Sequence, residues 1–232
     1  MFRERRTTMP EATSVFATRK IPGIVFATKW VLTRCLFGKP PLMRGFYTKG
    51  RCPLVVVTGD NGSGKSLVRR MYCAWASKRG VEQMPFSMQF RSGGGFERAI
   101  IFGSEDWEAT GIISASAFLK SISSSANRTN PHLIVWDEPD LGLSEGYSLG
   151  MGKEIRRFIS NPPKYLWGAV LMTHSKGLLG EAVNGLKPHH LALDENVPLN
   201  EWLERREPAR PIDGLLEMGL RRFRAISKFL KD

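Results

Sequence analysis

Eight residues, Gly59-Asp60-Asn61-Gly62-Ser63-Gly64-Lys65-Ser66, limit what this chain can fold into more than any other stretch. They follow the apolar run Leu54-Val55-Val56-Val57 and lead into residues 65–78, whose pattern is helical. The spacing G-x-x-x-x-G-K-[ST] between a buried strand and a helix is that of a phosphate-binding loop. Glycines let the backbone turn tightly and approach an anion, so that successive N–H groups and the positive end of the helix face it. Lys65 is then expected to reach the β- and γ-phosphates of a nucleotide, and the Ser66 hydroxyl to hold Mg²⁺. Gly59, Asp60, Asn61, Gly62, Ser63, Gly64, Lys65, Ser66 and Leu67 form the expected binding set.

A binding loop alone does not cleave phosphate, and the carboxylates that cleavage requires stand at His132-Leu133-Ile134-Val135-Trp136-Asp137-Glu138-Pro139. A buried strand ending in two acids places them at the C-terminal edge of a parallel sheet, where open α/β sheets bind ligands. Asp137 is expected to hold Mg²⁺ through water, and Glu138 to orient or deprotonate the attacking water.

The rest of the chain alternates between the two periodicities. Helices are expected at Ile24–Phe37, Lys65–Lys78, from Ser114 to before Asn130-Pro131, at Glu145–Ile159 and at Ile212–Leu230, the last burying Leu216, Leu220, Phe223 and Leu230. Strands are expected at Leu54–Val57, Leu133–Trp136, Trp167–Met172 and Leu191–Leu193, and a hairpin from residues 86–90 and 99–102 across Gly93-Gly94-Gly95. This predicts an α/β fold, a mostly parallel sheet with helices on both faces.

Charge and composition narrow the function classes. The formal charge is +12, and residues 1–52 hold 11 basic and 2 acidic side chains. Clustered Lys/Arg favours nucleic acid or an acidic membrane surface, while a merely solvated basic arm has the same composition. The Arg- and Thr-rich first 20 residues overlap with transit-peptide composition. No apolar stretch approaches the ~18 residues of a membrane-spanning helix. Cys35, Cys52 and Cys73 form no C-x-x-C pair and read as reduced thiols, which points to a cytoplasmic protein.

The loop Gly59–Ser66 together with Asp137-Glu138-Pro139 resembles the ATP-binding-cassette (ABC) class of P-loop ATPases. That resemblance implies the P-loop NTPase fold, with ATP and Mg²⁺ bound and ATP hydrolysed. It also implies a nucleotide sandwiched between two protomers, hence an ATP-dependent homodimer. The family's signature serine, which contacts the γ-phosphate held by the opposite subunit, falls by position on Ser114 in Ile113-Ser114-Ala115-Ser116-Ala117, with Ser92-Gly93-Gly94-Gly95 as the rival. His174 in Leu171-Met172-Thr173-His174-Ser175 looks like the family's switch histidine, so that Lys65, Glu138 and His174 form the implied catalytic set. His189 and His190 match nothing and read as surface or packing residues.

This chain departs from the family pattern in three places. Ser144 stands where an aspartate facing the partner is usual, and the glutamine loop has no clear match beyond Gln89 or Glu105. The 49-residue interval from Lys65 to Ser114 leaves room for only a reduced helical subdomain. The expected organisation is a basic N-terminal extension, residues 1–50, and an ABC-type ATPase domain, residues 51–232. The implied function is a non-transporter ATPase that acts on nucleic acid or an unknown partner protein. The alternatives are an ATPase subunit of a membrane transporter, or an ATP-gated regulatory module with weak turnover.

Overall fold

Five parallel strands form the centre of the molecule in the order β3-β4-β5-β2-β6, and a short antiparallel strand β1 is added outside β6. The strands are β1 (Gly45–Tyr47), β2 (Leu54–Thr58), β3 (Glu82–Ser87), β4 (His132–Asp137), β5 (Leu166–Met172) and β6 (His189–Ala192). The helices are α1 (Gly23–Thr33), α2 (Lys65–Lys78), α3 (Thr110–Ala126), α4 (Glu145–Ser160), α5 (Lys176–Val183) and α6 (Leu199–Glu204). This computed structural model describes residues 23–33, 45–47, 52–87, 109–193, 197–218 and 220.

The sheet is buried on both faces because its central strands β2, β4 and β5 carry unbroken apolar runs, not alternating ones. Val55, Val57, Leu133, Val135, Val170 and Met172 face α1 and α2, where they meet Ile24, Val31, Val68, Tyr72 and Trp75. Leu54, Val56, Ile134, Trp136, Ala169 and Leu171 face α3, α4 and α5, where they meet Phe118, Met151, Ile155, Phe158, Leu178 and Leu179. Trp136 packs between Phe118, in a tilted contact, and Phe158, edge to face, at centroid distances of 5.7 and 5.8 Å. Helices therefore cover both faces of the sheet. Helix α1 and strand β1, both within residues 1–50, belong to this layer structure.

Several elements differ from expectation. Strand β3 begins at Glu82, and its partner among the described residues is β4, in parallel; residues 88–90 and 99–102 of the expected hairpin lie outside the described residues. Pro85 suits an edge strand, where a missing N–H costs least. Helix α3 starts at Thr110, one turn before Ser114, because Ala109 O already accepts from the amides of Ile112 and Ile113. Strand β6 contains His189 and His190, and both are buried in it, as packing residues and not surface ones. Residues 212–218 are helical, but Leu216 and Leu220 are exposed, contrary to expectation. An amphipathic pattern states which face is apolar but not what covers it.

Close packing at two glycines gives a stability test. A Cβ on Gly168 would lie 2.4 Å from Ile24 Cβ, whereas one on Gly150 meets nothing within 4 Å. Gly168→Ala is expected to cost about 1–3 kcal/mol by overpacking. Gly150→Ala, in the exposed middle of α4, is expected to add about 0.4–1 kcal/mol. Urea denaturation of both variants checks the contrast, and equal effects would contradict it.

Candidate functional site

Three neighbouring parallel strands deliver the expected residues to one sheet edge. Strand β5 lies between β2 and β4, with Met172 in register with both Val57 and Asp137. The next residues along each chain are therefore side by side: the 59–66 loop after β2, Thr173 and His174 after β5, and Glu138 after β4. Parallel strands share one C-terminal end, which is why residues over a hundred positions apart meet here.

The loop adopts the conformation its glycines were read to permit. Gly62 and Gly64 have φ of 71° and 102°, a left-handed region in which a side chain is strained. A Cβ on Gly59 would fall 2.6 Å from Ser63 Oγ. That hydroxyl is buried and lacks a hydrogen-bond partner among the described residues. Helix α2 opens on Gly64, which has no side chain to cap it, and a helix N-terminus is an end that suits an anion. Lys65 is buried, and its ammonium donates to the carbonyls of Gly59 (2.9 Å) and Asp60 (3.0 Å). It lies 2.6 Å from His174 Nε2.

His174 joins this cation to an acid. Its Nε2 is also 3.2 Å from Glu138 Oε1. An ammonium can only donate and a carboxylate only accept, so Nε2 serves Lys65 through its lone pair or Glu138 through its proton. The hydrogen bond from His174 is the foremost reason that the Glu138 carboxyl lies below its ordinary range, although partial burial opposes it. Glu138 itself has φ of 51°, a conformation uncommon for a residue with a side chain and one that clusters at functional sites. Two backbone bonds hold it, from its N–H to Met172 O (2.8 Å) and from the Leu141 N–H to its own carbonyl (3.3 Å).

Asp137 ends β4 with its side chain buried. Burial pushes its carboxyl above the ordinary value, and the nearby Arg69 guanidinium partly offsets that. Arg69 Nε lies 3.3 Å from Asp137 Oδ2, and Ser87 Oγ donates to the same oxygen at 3.4 Å. Among the described residues, no three His, Cys, Asp or Glu side chains cluster as a metal cage. The oxygen donors Ser66 and Asp137 fit a hard cation such as Mg²⁺, which is commonly held by one carboxylate, water and substrate phosphate.

Ser114 is placed differently from the cradle residues. Its side chain is buried, and its hydroxyl bonds to Thr110 O (3.0 Å) and Leu141 O (2.6 Å), bracing the loop after Glu138. The bracing is tight, since a Cβ on Gly142 would fall 2.7 Å from Thr110 Cγ2. Ser92, Gln89 and Glu105 lie outside the described residues. Ser144 precedes α4 without capping it through its side chain.

Sequence reading passed over three participants. Arg69 lies one helical turn beyond Lys65, a spacing that already puts both on one face of α2. Asp140 accepts from Thr173 Oγ1 (3.0 Å) and Ser148 Oγ (3.1 Å), tying the acidic loop to the loop that carries His174. Arg210 pairs with Asp60, and Glu207 links Arg210 to Lys176 at the start of α5. The segment around 205–210 thus touches the cradle itself at Asp60 and the start of α5 at Lys176, and no sequence motif marks it.

Among the described residues, no helix is long and apolar enough to cross a membrane. The chain matched no protein-family description, no curated protein and no solved structure.

Proposed function

We propose that this protein binds Mg-ATP and hydrolyses it, as an ABC-type P-loop ATPase whose nucleotide drives pairing of two protomers. One observation carries the reading: a phosphate loop, two adjacent carboxylates and a histidine converge on one sheet edge, with Lys65, His174 and Glu138 in contact. The loop amides and Lys65 bind the triphosphate, Lys65 exchanging the carbonyls of its own loop for phosphate oxygens. Ser66 and Asp137 hold Mg²⁺, which when bound neutralises phosphate charge. Glu138, kept ionised, takes the proton of the attacking water, and His174 supports it. Loss of Lys65 to phosphate leaves His174 Nε2 to serve Glu138 alone.

Pairing of protomers across ATP comes from the family resemblance, as does action on nucleic acid, for which the basic N-terminal segment offers the charge. For Ser114 to touch a partner's nucleotide, its bond to Leu141 O has to break. A second reading, an ATP-gated module with slow turnover, is favoured by the guanidinium already lying on Asp137. Steady-state turnover separates the two.

The test of nucleotide binding is thermal. Mg-ATP at about 100 times its dissociation constant should stabilise the fold by about 2.7 kcal/mol. Lys65→Met should lose most of that shift. A wild-type melting curve that ignores Mg-ATP would remove the proposal.

A further inference from the structure

We infer that Arg69 is a positioning residue of the metal site: with Ser87 it holds Asp137 by one carboxylate oxygen and turns the other toward the metal. The inference rests on the proposed reading of Asp137 as a holder of Mg²⁺. Three features of the geometry carry it. Arg69 Nε (3.3 Å) and Ser87 Oγ (3.4 Å) both approach Oδ2. Arg69 and Asp137 are both buried, so the guanidinium meets the carboxylate where water competes little. Arg69 extends from α2, the helix that also carries Lys65 and Ser66, so the phosphate-binding residues and the support of the second carboxylate move as one body.

This arrangement has a chemical consequence. The Arg69 guanidinium is a fixed cation that pairs by charge with Oδ2, while the Ser87 hydroxyl donates a hydrogen bond to the same oxygen. A divalent ion brought to Oδ2 would face that charge directly. A metal held by Asp137 would therefore be served through the other carboxylate oxygen, at a position that Arg69 and Ser87 set together. Outer partners of this kind orient ligands and tune metal affinity without touching the metal.

The experiment measures Mn²⁺ affinity of the protein–ATP complex by the paramagnetic signal of the ion, alongside ATP affinity in EDTA. Arg69→Gln should weaken Mn²⁺ by about 10- to 100-fold and leave metal-free ATP binding unchanged. Arg69→Lys should recover much of the loss. Because Arg69→Gln strips a buried carboxylate of its cation and endangers folding, Ser87→Ala supplies an independent arm: it keeps the ion pair and should also weaken Mn²⁺. Unaltered Mn²⁺ affinity in Ser87→Ala and in the folded Arg69 variants overturns the inference. Wild-type protein that binds ATP equally with and without Mn²⁺, or Asp137→Asn that binds the ion normally, overturns the metal role of Asp137 and this inference with it.

Discussion

Glu138→Gln should retain Mg-ATP binding while ATP turnover falls by about 10²- to 10⁴-fold, the range that a positioned general base contributes. Gln is nearly isosteric and can still meet His174, so the strained turn and its backbone bonds to Met172 and Leu141 are kept. What disappears is the ionised oxygen that accepts a proton from water. The hydrogen bond from His174 keeps Glu138 ionised in the wild type, so the base is available well below neutral pH. With hydrolysis blocked, ATP-bound dimers should accumulate. Turnover assays together with sizing in Mg-ATP check both halves. Unchanged hydrolysis would assign the water to another group, and absence of dimers would leave an ATPase without the clamp.

Acidification should destabilise the protein for a reason unrelated to nucleotide. His190 is buried in β6, 2.8 Å from Thr58 Oγ1. Desolvation lowers its pKa from 6.5 to about 4. A buried imidazole that resists protonation binds fewer protons folded than unfolded, so stability is full above the unfolded value of 6.5 and is lost as pH falls toward 4. The shift corresponds to about 3 kcal/mol, at 1.36 kcal/mol per pKa unit. His189 and His132 are lowered in the same direction, chiefly by burial. Glu138, held low, likewise loses its contribution on acidification, whereas Asp137, pushed up by burial, opposes the trend. Urea denaturation at neutral pH and near pH 4.5 should show the fall, and His190→Gln should shrink it. A variant as acid-sensitive as the wild type would acquit this histidine.

Much of the candidate site was legible because its chemistry is local. A backbone that wraps phosphate requires glycines at fixed offsets from a lysine, and Gly59, Gly62 and Gly64 take up the conformations that only such residues adopt easily. Strands β2, β4 and β5 were legible for a similar reason, since a strand buried on both faces reads as an unbroken apolar run. Strand β3 was legible only at its end, Phe86 and Ser87, because Glu82, Gln83 and Pro85 before them give no such run. Helix 212–218 shows the opposite error: its period was legible, but its burial was inferred from pattern alone, and Leu216 and Leu220 are exposed.

Arg69, Asp140 and Arg210 belong to a second kind of information. Each is an ordinary charged residue in sequence, and its role depends on what lies opposite it in space. Arg69 meets Asp137 because α2 packs against the face of the sheet that includes β4, and Arg210 meets Asp60 because the chain returns to the cradle after α6. The same holds for Ser114, whose hydroxyl is turned inward onto Leu141 O by the close approach of Gly111 and Gly142.

The amino-acid order by itself determined the tight glycine-rich loop, the acid-tipped strand and the alternation of strand with helix, because these depend on backbone freedom and on contacts within a few residues. Only the tertiary structure decided that β5 lies between β2 and β4, and hence that His174 stands between Lys65 and Glu138. Strand order is set by the summed packing of both sheet faces, a quantity that no short stretch of sequence contains.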